Sequence, residues 1–320
     1  MSDASVNAEA EGSVPSVRRR EQRALSAARR TEFVQRVEQR YALDHLHEVS
    51  GRPPLGQYFK RLWQRRHFIW WESKSKVETE NIGNRLGSFW FILRPCLDAA
   101  FYWLVFGVVL EMSRGVDNYT AFVIIGVFMF QLTSSAVNNG VNLIKSSKST
   151  IRAFQFPRAS LAVASLVHNF LQRIPAIIAM FVIIVALPPH ALPQVTWLLF
   201  PAILALQTIM DFGLYLLFAR LGHLMPDLAK AMSFFSRILL YGSGVIFPLV
   251  SRLEDRPEIL AIIEFSPVYQ VLMMYRTALI DGAVPSAYQW ILLSAWAIGL
   301  LLVGFFFFWR GEESYGREQQ

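Results

Sequence analysis

A single cysteine, Cys96, stands in 320 residues, so no intrachain disulfide can form and the redox character of the compartment stays open. The chain has no Gly-x-x-x-x-Gly-Lys-Ser/Thr segment, which excludes a P-loop for ATP. Its six histidines never fall as His-x-x-x-His or His-Glu-x-x-His, so the usual helix-borne metal pattern is missing. Within the apolar stretches Asp and Glu do not pair at helical spacing as acid and base, and no catalytic or metal-binding set can be named. Nothing ahead of Phe89 carries the apolar core of a secretory signal, so the first apolar stretch is expected to target the chain itself. Neither a tandem repeat of solenoid type nor an inverted repeat is visible.

What the chain has in abundance is apolar sequence. Hydrophobic residues make up 53% and aromatics 14%. They are gathered into six stretches, near Phe89–Leu110, Tyr119–Val141, Leu161–Leu187, Trp197–Ala219, Met232–Val250 and Tyr288–Trp309. Roughly 20 helical residues cross a hydrocarbon core of about 30 Å. A backbone in lipid must satisfy its own hydrogen bonds, so such stretches imply helices. The expected fold is all-α and integral to the membrane, with six transmembrane helices. The aromatic run Phe305–Phe308 is expected to face lipid or to pack.

The net charge of +7 is unevenly placed, with a long basic segment from Arg18 to Lys76 ahead of the first stretch. No nucleic-acid-binding module accompanies it, and beside membrane helices it reads as a segment lying on anionic headgroups. The link after the second stretch carries Lys145, Lys148, Arg152 and Arg158, and the link after the fourth carries Arg220 and Lys230. The links 111–118 and 188–195 have little positive charge. Basic loops stay in the cytoplasm, which places both termini inside and makes the chain a multi-pass protein of the plasma (inner) membrane.

Four regions follow from composition. Residues 1–54 are a basic cytoplasmic tail, expected to be disordered or loosely helical, closed by Gly51 and Pro53-Pro54. Residues 55–88 begin with Leu55, Tyr58, Phe59, Leu62, Trp63, Ile69 and Trp70 at three- and four-residue spacings, with Lys60, Arg61, Gln64 and Arg65 between them. That is the pattern of an amphipathic helix at the membrane interface, or of one packed on another protein. Residues 89–310 form the transmembrane part and 311–320 a cytoplasmic tail. Between the fifth and sixth stretches, Ile259–Phe265 and Val268–Ile280 are apolar, each too short to span, and divided by Pro267. They read as two short external helices, re-entrant or interfacial, with a plain amphipathic loop as the alternative.

Polar residues inside apolar stretches are costly and therefore informative. In the second stretch Gln131, Ser134, Ser135, Asn138 and Asn142 recur every three or four residues and share one helix face. Such a stripe suits a wet passage for a hydroxyl-rich solute. It equally suits helix–helix association through amides and hydroxyls. Arg94 and Asp98 stand at i and i+4 with Pro95 between, close enough to pair on one face or to meet substrate. Gln207 and Asp211 share a face of the fourth stretch, His168, Gln172 and Arg173 cluster on the third, and Ser233, Arg237, Tyr241 and Gly244 follow one face of the fifth. A proton relay would require these groups to converge.

The passage Gly83-Asn84-Arg85-Leu86-Gly87-Ser88-Phe89-Trp90-Phe91-Ile92-Leu93-Arg94-Pro95 resembles the opening of ABC-2 type ABC transporter permeases. Phe156-Pro157-Arg158 resembles the Phe-Pro-Arg element before their third span, and Phe265-Ser266-Pro267-Val268-Tyr269 matches their external segment more loosely. The order of elements over residues 55 to 310 is similar to the branch that exports O-antigen, capsule, teichoic acid or galactan. Arg94 before Pro95 and the long basic N-terminus depart from the usual pattern.

The resemblance implies an exporter of a lipid-linked polysaccharide in cell-wall biogenesis. It implies a homodimer working with a separate P-loop ATPase subunit, which would bind ATP and Mg, while this chain holds no cofactor and catalyses no reaction. Coupling to the ATPase would then fall on Lys145, Lys148, Arg152 and Phe154. The glycan's lipid diphosphate would enter near Arg61, Arg65 and Arg66, and the glycan would pass along the stripe of the second span. Other functions remain to be separated from this one. They are an ABC permease for a lipid or drug, an intramembrane glycosyl- or acyltransferase (which the short links 111–118 and 188–195 disfavour), and a secondary transporter.

Overall fold

The computed structural model describes residues 55–79, 89–109, 116–148, 151, 158–250, 253 and 256–316. The expected tail 1–54, residues 80–88, most of the link after the second span and the last four residues lie outside that set. Among the described residues every regular element is a helix.

Two helices precede the first span, α1 (Leu55–Gln64) and α2 (Arg66–Thr79), where the sequence pattern suggests one. The break is a turn at Arg65, whose N–H donates to Leu62 O at 3.1 Å. Along α1 and α2, Trp63, Trp70 and Trp71 are exposed, while Ile69 and Ser73 are buried. The Ser73 hydroxyl lies 2.7 Å from Ala164 O, which fastens α2 to the third span.

The spans are α3 (Trp90–Tyr102, continued as π-helical turns over Trp103–Val109), α4 (Tyr119–Ser146), α5 (Ala159–Ala186), and α6 (Phe200–Leu224, entered through a 3-10 turn at Val195–Leu199). After α7 (Leu228–Gly242) come α8 (Pro257–Phe265), α9 (Pro267–Leu279), α10 (Ala287–Arg310) and a final 3-10 turn, Glu312–Gly316. Five of these segments are long and apolar enough to cross a membrane, and α8 with α9 makes a sixth candidate, bent by 84° at the Ser266–Pro267 junction. Pro267 explains the bend, because proline cannot continue the hydrogen-bond ladder of the helix before it.

The expected fifth stretch, Met232–Val250, takes a different form. Its helix starts earlier, at Leu228, and stops at Gly242, giving 15 residues, or about 22 Å at 1.5 Å per residue. The chain then turns at Gly244, whose φ of +64° is a conformation that suits glycine. Val245 and Ile246 beyond it are fully buried.

The central element is α4. Its N-terminal half, Ala121–Phe130, is buried throughout, and its first turn is capped by the Asn118 side chain accepting from Ala121 N–H at 3.0 Å. It packs on α6, which in turn packs on α10. Gly304 of α10 meets Gly213 of α6 so closely that a Cβ at either position would fall on the other helix's backbone, the small-residue contact that lets membrane helices approach.

At the end of the bundle where α5 begins and α10 ends, the chain closes on itself. Glu312 Oε1 accepts from the Arg158 N–H at 2.9 Å, at the start of α5, and lies 3.9 Å from the Arg158 guanidinium. Arg220 of α6 donates to Ser314 Oγ at 2.6 Å and lies over the Tyr315 ring. The Tyr315 hydroxyl donates to Phe308 O at 2.8 Å, and burial raises its pKa above the usual phenol range. In the aromatic run Phe308 is fully buried while Phe306 is half exposed, so the run divides between packing and the outer surface of the bundle.

Candidate functional site

A cavity of about 610 Å³ opens between α3, α4, α5 and α7. Its lining includes Arg94 and Asp98 of α3, Gln131, Ser134, Ser135 and Asn138 of α4, Gln172 and Arg173 of α5, and Ser233, Ser236 and Arg237 of α7. The polar face of the second span therefore meets polar residues from three other helices.

The lining is a connected network. Arg173 donates to Gln131 Oε1 at 2.9 Å and to Ser135 Oγ at 2.5 Å. Gln131 Nε2 donates to Asp98 Oδ2 at 3.0 Å, and Asn138 Nδ2 donates to Ser236 Oγ at 2.8 Å. The amides of the stripe join helices and also face an open volume. Asn142 is exposed, donates to Asn138 O at 3.0 Å, and lies outside the cavity lining.

The pairing of Arg94 with Asp98, expected from their spacing, does not form. Asp98 is satisfied across the helix contact by the Gln131 amide, and no ion pair joins it to Arg94. The cavity lining carries three guanidinium groups, from Arg94, Arg173 and Arg237, against the one carboxylate of Asp98. Guanidinium groups bind phosphate and carboxylate oxygens through paired N–H groups. With Ser, Asn and Gln around them, they suit a solute that is both anionic and rich in hydroxyls.

The other polar groups of the spans go elsewhere. His168 turns to the Ser73 carbonyl, with Nδ1 at 3.3 Å. Gln207 donates to Met129 O at 3.0 Å and accepts from the Tyr275 hydroxyl at 2.9 Å, on a buried side of α4. Asp211 is buried and borders, with Arg173, a small void of about 30 Å³. His168, Arg173 and Asp211 do not come together as a relay.

Arg65, in the turn between α1 and α2, and Arg66, the first residue of α2, are exposed. Arg66 lies over Trp63 and borders an apolar groove of about 530 Å³ with Leu62, Ile69, Trp70, Val163 and Val167. The helix at Arg61 is described but its side chain is not. Lys145 and Lys148 are exposed at the C-terminal end of α4, whereas Arg152 and Phe154 lie outside the described residues.

No protein-family model matches the chain. Over 207 residues it is 27% identical to the O-antigen export system permease protein RfbA of Klebsiella pneumoniae, covering 63% of this chain and 76% of that protein. A second Klebsiella pneumoniae protein of the same name is 26% identical over 208 residues, with the same shares covered. The chain is a homologue of polysaccharide-export permeases of the ABC-2 type. The polysialic acid transport protein KpsM of Escherichia coli, 21% identical over 230 residues, covers 72% of this chain and 88% of its own.

This homologue of the export permeases has a second cavity, of about 720 Å³, at the other end of α4. It is lined by Asp117, Phe122, His190, Gln194, Gly244, Tyr269, Arg276 and Asp281, among others. Asp281 is exposed, and its carboxyl is raised in pKa by partial burial. Arg276 is 3% exposed, and the pattern that marks Val268–Ile280 as a short apolar helix does not single it out. The available signal was an arginine inside the apolar run Val268–Ile280, a costly placement.

Proposed function

We propose that the chain is the membrane subunit of an ATP-driven exporter that moves a lipid-linked polysaccharide across the plasma membrane. The 610 Å³ cavity carries this reading, because it joins an excess of guanidinium groups to serine, asparagine and glutamine side chains within the spans. A lipid diphosphate supplies anionic oxygens for Arg94, Arg173 or Arg237, and a glycan supplies hydroxyls for the rest. The relatives named for O-antigen export and polysialic acid transport support the same cargo class.

On this reading ATP and Mg are bound by a separate P-loop ATPase subunit, consistent with the missing P-loop. It docks at the cytoplasmic link that begins at Lys145 and Lys148 and contains Arg152 and Phe154. Two copies of the chain form the path, with α3 and α7 flanking the open side of each cavity and Leu97, Phe101, Phe234 and Ile238 exposed on them. The α8–α9 pair forms the two short re-entrant helices at the outer face. Arg61, Arg65 and Arg66 attract the lipid diphosphate at the inner leaflet, and both termini are cytoplasmic.

A mild-detergent purification of the tagged chain tests the partner. A stoichiometric P-loop ATPase with ATP-hydrolysing activity is expected. A monodisperse preparation with no such subunit would remove the ATP-driven reading and leave a carrier or an enzyme.

A further inference from the structure

The two cavities share a wall. On α4 the inner cavity reaches Val127 and the outer one reaches Phe122, a separation of about 7.5 Å along a helix. Opposite them, Leu240 of α7 borders the inner cavity and Gly244 the outer one. Val245, which lines neither cavity, lies with its carbonyl against Gly126 of α4, between those two positions, and Ile246 beside it is fully buried. A methyl group at Gly126 would fall on the Val245 carbonyl and on the Arg276 guanidinium.

One side chain holds this backbone in place. Arg276 of α9 donates from Nη1 to Gly244 O at 2.8 Å. From Nη2 it donates to Val245 O at 2.8 Å and to Phe122 O at 3.3 Å. Its guanidinium carbon sits 3.3 Å from the centroid of the Phe122 ring. The Tyr119 hydroxyl adds a bond to Ile246 O at 2.8 Å. The left-handed turn at Gly244 is what aims two successive carbonyls at a single guanidinium.

A fixed strut would be served by apolar packing, since a buried cation with no carboxylate in contact, and only the more distant Asp281 to balance it, is costly and marks function within a membrane. Arg276 has a second distinguishing property. Its Nε has no hydrogen-bond partner, and the residue lines the outer cavity. Its other bonds go to neutral carbonyls, which the oxygens of a glycan or phosphate can replace. Asp117 and Asp281 stand exposed at the same cavity and can accept from sugar hydroxyls.

We propose that the inner and outer cavities are two halves of one path for the hydroxyl-rich cargo, closed at Val245–Ile246, with Arg276 as the latch of that closure. The cargo class rests on the exporter reading above. Opening transfers the Arg276 N–H groups from Gly244, Val245 and Phe122 to oxygens of the cargo, and the 243–246 turn then moves off Gly126. The outer cavity thereby becomes the exit site.

Thiol accessibility tests the closure without cargo or ATPase, so failure of the exporter reading and failure of this one are distinguishable. In a Cys96→Ser background, Ser134→Cys reports the inner cavity, Leu192→Cys the outer one and Met180→Cys the buried core. A membrane-impermeant methanethiosulfonate is added to right-side-out vesicles. Leu192→Cys is expected to react rapidly, while Ser134→Cys and Met180→Cys are protected. Adding Arg276→Gln, or separately Gly126→Ala, is expected to raise the Ser134→Cys rate by about 10-fold or more, as the open population rises. Met180→Cys stays protected.

Rapid outside labelling of Ser134→Cys with Arg276 intact would overturn the proposal, as would no change with either variant. Exposure of Met180→Cys in both variants would also overturn it, because Arg276 would then be a strut of the fold. If only Arg276→Gln exposes Met180→Cys, Gly126→Ala decides, since it displaces the wall and keeps the cation.

Discussion

Arg173 of α5 and Gln131 of α4 are joined by a 2.9 Å hydrogen bond, and the same glutamine donates onward to Asp98 of α3 at 3.0 Å. One amide thus ties three helices around the inner cavity. The cavity's positive character comes from its composition, three guanidinium groups against one carboxylate.

Replacing Arg173 with glutamine removes a charged donor from the network. A hydrogen bond to a charged group contributes about 1.5–3 kcal/mol, so surface delivery of the cargo is expected to fall by about 10-fold or more. The protein should still reach the membrane. Arg173→Lys should rescue only in part, because a single ammonium cannot reproduce the paired donors to Gln131 and Ser135. Quantifying the surface product against membrane-inserted protein checks both statements.

Asn138 and Asn142 belong to the same stripe but should differ. Asn138 donates to Ser236 across the cavity and Asn142 donates back along its own helix. Asn138→Leu is expected to reduce transport clearly, and Asn142→Leu to change it less than twofold, about the scale of a surface substitution. Equal effects, or none from either, would remove the stripe from the path.

The α6–α10 crossing has no room for a side chain at Gly304. Gly304→Leu is expected to cost about 1–3 kcal/mol or more, the range for overpacking, since the obstructing atoms are the backbone of Gly213. Thermal unfolding in detergent should show it. Gly299, with open space around its missing Cβ, is the control, and Gly299→Ala should be close to neutral.

Glu312 supplies the start of α5 with an acceptor that its own sequence lacks, since no side chain caps the helix at Arg158. Glu312→Ala is expected to lower stability by about 1–2 kcal/mol, as for loss of an N-cap. Glu312→Gln keeps an acceptor oxygen and should recover much of it. The unfolding midpoints of the two variants are the measurement.

The spans were legible in sequence because lipid imposes a length and an apolar composition on any helix that crosses it. The polar stripe Gln131–Asn138 was legible for a related reason, as four polar groups at helical spacing stand out in an apolar run. Asn142 continues the spacing but leaves the cavity, because periodicity gives a face and says nothing of where along the helix the neighbours open. The fifth span was misjudged because apolar content carries on through Val245–Val250, past the turn at Gly244. Arg94 and Asp98 show the limit for pairs: their spacing permits contact, yet a partner from another helix took the carboxylate. Glu312 and Arg276 act on residues 154 positions away in each case, and no local pattern reports such contacts.

The most direct test of the central claim is a deletion in the source organism, with surface polysaccharide and intracellular lipid-linked glycan measured together. Loss of a polysaccharide from the surface and accumulation of its lipid-linked form inside are expected. The wild-type gene should reverse both, and Arg173→Gln should not. Unchanged surface polysaccharide, with no intermediate accumulating inside, would contradict it.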